Sequence, residues 1–147
     1  GEAIEEVKQI TAQGLQKKEV IFEASFDEAV LLLEKDLFIS LLVNLVDNAA
    51  KASQAGGHIR LTGKCEKNRY AITVRDEGKG IPESEIKNIL EPFYMVDKSR
   101  SRKEGGAGLG MTLCAEIVRL HHAEWKIESK ENEGTKITIW FSLEDEV

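Results

Sequence analysis

Two amides and an ammonium group share one stripe of a strongly apolar stretch. In NLVDNAAKAS, residues 44–53, Asn44 and Asn48 stand one helical turn apart and Lys51 follows almost one turn later. Side chains at such spacings line up on one helix face. The stretch around them is apolar, with Leu41, Leu42, Leu45 and Val46 among its members. A buried amide left without a partner costs about 1–3 kcal/mol. A bound anion accompanied by a metal ion would supply partners for all three groups. The competing reading is a narrow solvated stripe, with Asp47 and Lys51 paired across one turn.

Three further segments carry chemistry. DEGKGIP, residues 76–82, directly follows a strand pattern. Its Asp-x-Gly-x-Gly spacing lets the backbone turn sharply and lie against a flat ligand. Asp76 at the strand end can accept a hydrogen bond from an exocyclic amine, or it can simply cap the turn. GGAGLG, residues 105–110, opens a helix. Backbone N–H groups and the partial positive charge of a helix N-terminus suit phosphate oxygens there. Neither a Rossmann fingerprint nor a Walker-type Gly-Lys-Ser/Thr is present. Between these loops, DKSRSRKE (97–104) sets Lys98, Arg100, Arg102 and Lys103 against Asp97 and Glu104. A cationic lid beside a glycine cradle would hold a polyphosphate; a solvated loop is the plainer alternative.

The elements that must position these residues follow from periodicity. Apolar positions predict a helix over 2–18 and a half-buried strand over 20–26. AVLLL, 29–33, reads as a short second strand. A long helix is expected over 36–54, with Asp36 as N-cap and Gly56-Gly57 as its stop. Alternation predicts strands over 58–65 and 70–76. Pro82 suits the first turn of a short helix over 83–90. Residues 91–108 read as a long loop. A helix over 111–122 and a hairpin, 124–130 and 135–143 with Glu133-Gly134 in its turn, complete the chain. The expected fold is a two-layer α/β (α+β) sandwich. Its sheet is mixed, mostly antiparallel, with helices on one face and the other face left to solvent or a partner.

Composition bounds the rest. The chain has 147 residues, 41% apolar and 31% charged, which suits one globular domain. Twenty basic residues against 26 acidic give a net charge of −6, which argues against a nucleic-acid partner. No apolar run reaches membrane-span length, and no leader pattern opens the chain. Cys65 and Cys114 match no metal or redox spacing and are expected to be free thiols. His58, His121 and His122 are expected to be structural or solvated.

Taken together in their order, these pieces resemble the ATP-binding catalytic domain of sensor histidine kinases, in the GHKL superfamily with the Bergerat fold. The resemblance covers about residues 20–143. Asn44-Leu-Val-Asp-Asn48-Ala-Ala-Lys51 is similar to the N box, and Asp76-Glu-Gly78-Lys-Gly80 to the first glycine box. Glu91-Pro92-Phe93-Tyr94-Met95-Val96-Asp97 is similar to the F box, and Gly106-Ala-Gly108-Leu-Gly110-Met to the second glycine box. The resemblance implies that Asn48 is a magnesium ligand, that Asn44 lies near the phosphates, and that Lys51 contacts them. It implies that Asp76 recognises the adenine amino group with support from Thr135. By the same resemblance Gly78, Gly80 and Ile81 border the adenine slot. Gly106, Gly108, Leu109 and Gly110 match the hinge of a long ATP lid.

The resemblance also implies the reaction: magnesium-assisted transfer of the ATP γ-phosphoryl group to a histidine. That histidine belongs to a dimerisation-phosphoacceptor domain, and a response-regulator receiver domain is the expected onward partner. Residues 1–19 are expected to be a connector from the acceptor domain, and 20–147 the catalytic domain. The expected location is the cytoplasmic part of a membrane-anchored protein, with no membrane contact from this segment. Superfamily ATPases resemble one another in carrying a glutamate where Asn44 stands, and an amide cannot serve as a general base. Met95 replaces an arginine aimed at the γ-phosphate in many members, so Lys98, Arg100 or Arg102 is expected to compensate its charge. Ala52 replaces an aromatic beside the nucleotide. A nucleotide-binding regulatory module with little transferase activity, or a slow ATPase, is the alternative function.

Overall fold

The computed structural model describes residues 2–28, 33–81 and 107–143. Helix α1 (Glu2–Lys18) precedes strand β1 (Ile21–Phe26) and helix α2 (Lys35–Ala52). Strands β2 (His58–Glu66) and β3 (Arg69–Asp76) follow, then helix α3 (Ala107–Leu120) and the hairpin of β4 (Glu124–Lys130) and β5 (Gly134–Ser142). The five strands form one sheet in the order β1-β2-β3-β5-β4. Only β1 and β2 pair in parallel; the other three pairings are antiparallel. The fold is therefore α+β with a mixed sheet.

Strict alternation divides the two faces. Ile59, Leu61, Ile72, Val74, Ile137 and Ile139 are buried on the helix side. Their neighbours Arg60, Lys64, Arg75 and Lys136 are exposed on the other side. There Thr62, Thr73 and Thr138 stand in register across three strands, half-buried by one another. Helix α2 is the centre of the helical layer. Its Leu41, Leu42, Leu45 and Val46 are at most 1% exposed. Burying each such side chain contributes about 1.5–3 kcal/mol. Helix α1 lies on α2 and adds Val7 and Leu15 to the same core.

Helix α3 also packs on α2, and two contacts show that it runs in the opposite direction. His121, just past the end of α3, accepts a hydrogen bond at Nε2 from the Glu34 N–H at 3.1 Å. A full two turns earlier, the Cys114 thiol lies 3.9 Å from the Leu41 carbonyl oxygen. Continuing that antiparallel run carries the first turn of α3 toward the Asn44–Asn48 turn of α2.

Several local expectations need correction. Helix α2 is capped by Glu34, not Asp36: the Glu34 carboxylate accepts from the Leu37 N–H at 2.9 Å. Asp36 sits in the first turn, where its charge favours the helix dipole. Ser53, not the glycine pair, ends α2, with its N–H and hydroxyl both returned to the Ala49 carbonyl. Leu33 is not in a strand, and the rest of 29–32 lies outside the described residues. Helix α3 begins at Ala107, earlier than the apolar periodicity of 111–122 indicated. Gly134 belongs to β5 rather than to the hairpin turn. The helix expected at 83–90, the F box and the cationic segment 97–104 all lie outside the described residues.

Candidate functional site

One row of residues runs across the end of the sheet. The register pairs Phe22 with Ile59, Ile59 with Asp76, Asp76 with Thr135, and Thr135 with Ser129. All five point to the helix side, apolar over β1 and β2 and polar from β3 onward. Asp76 and Thr135 are each 7% exposed. Burial raises the Asp76 carboxyl above its ordinary value, opposed by the backbone N–H groups of Gly78 and Thr135. Oδ1 of Asp76 accepts the Gly78 N–H at 2.8 Å.

The glycine loop that follows Asp76 is held on two sides. The Lys79 N–H donates to the Ala52 carbonyl, at the end of α2, at 3.1 Å. On the other side the Lys79 carbonyl accepts from the Asn132 N–H at 2.7 Å, and the Ile81 N–H donates to Ser129 Oγ at 2.7 Å. Both glycines are required by this clamp. A Cβ on Gly78 would run into the Ala52 carbonyl, and one on Gly80 into the Lys130 carbonyl. Gly80 also has φ +76°, a left-handed conformation that side chains disfavour.

Helix α2 supplies the amides. Asn44 is half-buried, and its Nδ2 donates to the Ser40 carbonyl at 2.7 Å. Its nitrogen is thus engaged with its own helix. Asn48 Nδ2 is buried and has no hydrogen-bond partner, the one such side-chain atom among the described residues. A buried polar atom without a partner calls for an explanation, and a bound ligand supplies one. Turning the amide about its last bond exchanges Nδ2 for Oδ1. The position therefore offers either a donor to a phosphate oxygen or an acceptor to a hard cation. Lys51 pairs with Asp47 at 3.3 Å, as the solvated-stripe reading expected, and both side chains are about half-exposed.

The second glycine segment falls at the start of α3. Gly108, Leu109 and Gly110 form its first turn, while Gly106 lies just outside the described residues, as do Lys98, Arg100 and Arg102. The candidate residues thus come from three places: Asn44, Asn48 and Lys51 from α2, Asp76 with Gly78, Gly80 and Ile81 from the β3 end, and Thr135 from β5. Among the described residues no group of three His, Cys, Asp or Glu side chains could hold a metal ion. A cation here would need amide and phosphate oxygens instead.

Sequence reasoning passed over two participants. The Ala52 carbonyl, read only as a missing aromatic, anchors the glycine loop. Ser129 was unremarked, yet it continues the core-facing series Trp125, Ile127 of β4, where a hydroxyl is out of place. Of the histidines, His121 is structural: besides the Glu34 contact, its Nδ1 lies 2.9 Å from the Ile117 carbonyl and its ring meets Phe141 edge-on, whereas His58 and His122 are exposed.

Known proteins resemble this chain in sequence and fold. A family profile described as "Histidine kinase-, DNA gyrase B-, and HSP90-like ATPase" matches residues 34–145. The chain is 34% identical over 132 residues to the sensor histidine kinase YkoH of Bacillus subtilis, covering 90% of this chain and 29% of that protein. It is 36% identical over 116 residues to WalK, a sensor histidine kinase of the same organism, covering 78% of this chain and 19% of that one. The chain thus spans less than a third of the length of these relatives. Among solved structures, the nucleotide-free catalytic domain of the histidine kinase ThkA superposes with a TM-score of 0.79 at 25% identity, covering 97% of this chain and 91% of that one.

Proposed function

Because this chain belongs to the histidine kinase-, DNA gyrase B- and HSP90-like ATPase family, we propose that it is the ATP-binding catalytic domain of a sensor histidine kinase. In this reading the nucleotide lies between α2 and the glycine loop. The Asp76 carboxylate accepts the adenine amino group, with Thr135 beside it. The small backbone of Gly78, Gly80 and Ile81 lets the base lie flat. Asn48 offers its amide oxygen to magnesium, and Asn44 and Lys51 face the phosphates. Gly106, Gly108, Leu109 and Gly110 bring N–H groups to the triphosphate at the start of α3, and Lys98, Arg100 and Arg102 cover it.

The single observation that carries the reading is the buried, unpartnered Nδ2 of Asn48 on α2, the helix whose end holds the glycine loop that follows the buried acceptor Asp76. Magnesium, when bound, would be held by Asn48 and would supply charge neutralisation for phosphoryl transfer. The chain's own part is positioning and exclusion of water. Asn44 has its nitrogen on the Ser40 carbonyl and no ionisable group, so it activates no water. That favours transfer to a nucleophile already competent, a histidine nitrogen of a phosphoacceptor domain, over hydrolysis. A receiver domain of a response regulator is then the onward acceptor, α1 the connector to the phosphoacceptor domain, and the cytoplasm the location. No helix among the described residues is long and apolar enough to cross a membrane.

The test is incubation with γ-labelled ATP, magnesium and the cognate phosphoacceptor domain. The reading expects label on that domain that is lost in acid and kept in alkali, and none when magnesium is chelated. Steady phosphate release with no labelled domain would favour the ATPase alternative.

A further inference from the structure

The Ser129 hydroxyl has three polar neighbours and only one proton. Its Oγ lies 2.7 Å from the Ile81 nitrogen, 2.9 Å from the Gly134 carbonyl oxygen and 2.8 Å from Thr135 Oγ1. A serine hydroxyl donates once and accepts twice. The Ile81 N–H can only donate, so it occupies one lone pair. The Gly134 carbonyl can only accept, so it takes the proton. The remaining lone pair is then left for Thr135, whose hydroxyl must donate to it. The bookkeeping has one solution, and it fixes a proton on a neighbouring residue.

The consequence falls on the ligand side. With its proton spent on Ser129, Thr135 Oγ1 turns only lone pairs outward. Its register partner Asp76 is an acceptor as well, with Oδ1 already receiving the Gly78 N–H. The end of the row is therefore a floor of acceptors with no donor among its side chains. Such a floor pairs with a ligand edge that carries an amine and meets an oxo group lone pair to lone pair. Leaving buried polar groups mismatched is costly, which is why hydrogen-bonding sites discriminate more sharply than apolar ones.

We propose that Ser129 is a specificity-determining residue: by taking the Thr135 proton it makes Thr135 an obligate acceptor and selects 6-amino over 6-oxo purine nucleotides. The inference rests on the nucleotide reading given above. Ser129 acts through Thr135 and is a positioning residue, since the two neighbours it fixes, Ile81 and Thr135, face the base. Without the Ser129 hydroxyl, Thr135 can rotate and donate to a 6-oxo group.

The experiment titrates the 147-residue chain with ATP and with inosine triphosphate, both with magnesium, by calorimetry. Wild type is expected to prefer ATP. Ser129→Ala is expected to reduce that preference by about tenfold, chiefly by improving inosine triphosphate binding. Ser129→Thr, which keeps a hydroxyl on the same carbon, is expected to restore it. In a Thr135→Val background Ser129→Ala should change the ratio no further. If Ser129→Ala does not fold, as judged by circular dichroism, Ser129→Cys is read instead, since a thiol fills the space but bonds weakly. An unchanged ratio in whichever folded variant is read overturns the inference while leaving the ATP site standing. Wild type binding neither nucleotide overturns the site and the inference together.

Discussion

The Lys79 N–H donates to the Ala52 carbonyl at 3.1 Å, which ties the glycine loop to the last turn of the helix carrying Asn44 and Asn48. Asp76 at one end of that loop and the orphaned Asn48 amide on that helix are thereby held in one frame. The separation of the proposed base-reading end from the proposed metal-binding end is thus constrained by a backbone hydrogen bond. This is the preorganisation on which positional catalysis depends.

Asp76→Asn separates stability from function. Burial raises the folded-state value of Asp76, so the fold favours its protonated form. That contribution is fully present below the unfolded value, about 4, and is lost as pH rises through the folded one. Ionising Asp76 in the native chain carries a desolvation cost that the variant lacks. Asparagine still accepts the Gly78 N–H through its amide oxygen and gives up the lesser contact with the Thr135 N–H. Urea unfolding should find Asp76→Asn at least as stable as wild type at pH 7, with the advantage shrinking as pH falls through the acid range. ATP affinity at pH 7 should drop about tenfold or more. A variant less stable at pH 7, yet binding ATP normally, would contradict the role given to Asp76.

Asn48→Ala should cost the fold almost nothing. It removes an amide nitrogen with no partner and installs the best helix former. The expected change in unfolding free energy is within about 1 kcal/mol. The magnesium-dependent part of ATP binding should disappear, leaving affinity the same with and without chelator. Retention of the magnesium effect would place the cation elsewhere.

Two glycine substitutions form a matched pair. Gly56 has φ +86° with open space around a built Cβ, while Gly80 has φ +76° and a Cβ that would strike the Lys130 carbonyl. Gly56→Ala should cost about 1 kcal/mol and leave nucleotide binding intact. Gly80→Ala should cost more than that and also weaken ATP binding, because relieving the clash moves Ile81 off Ser129. Equal effects on binding would show that the clamp on the loop is not needed.

The two thiols should differ sharply. Cys65 is exposed, whereas Cys114 is buried and burial pushes its thiol up to about 12. A chromogenic disulfide reagent should titrate one thiol in the native chain and the second only after denaturation. Two fast thiols in the native chain would mean that α3 opens readily from α2.

How much of this was legible in the sequence follows from the range of each interaction. The strands of the central sheet were readable because alternation is local: Ile59, Leu61, Ile72 and Val74 declare a buried face without reference to the rest of the chain. The amide stripe of α2 was readable for the same reason. The start of α2 was not. Glu34 is a weaker cap by residue type than Asp36, and what favours it includes the His121 ring, 87 residues away. The start of α3 was hidden because Gly108 and Gly110 have low helix propensity. Ser129 was missed because its importance lies in three partners brought together by two turns and a strand pairing. Its core-facing parity in β4 was the signal available.

The account stands most directly on where the nucleotide binds. A crystal structure of this chain with magnesium and a non-hydrolysable ATP analogue should show the adenine amino group on the Asp76 carboxylate, and the cation on the Asn48 amide oxygen and the phosphates. Analogue bound away from α2 and the glycine loop, or a cation without contact to Asn48, would contradict it.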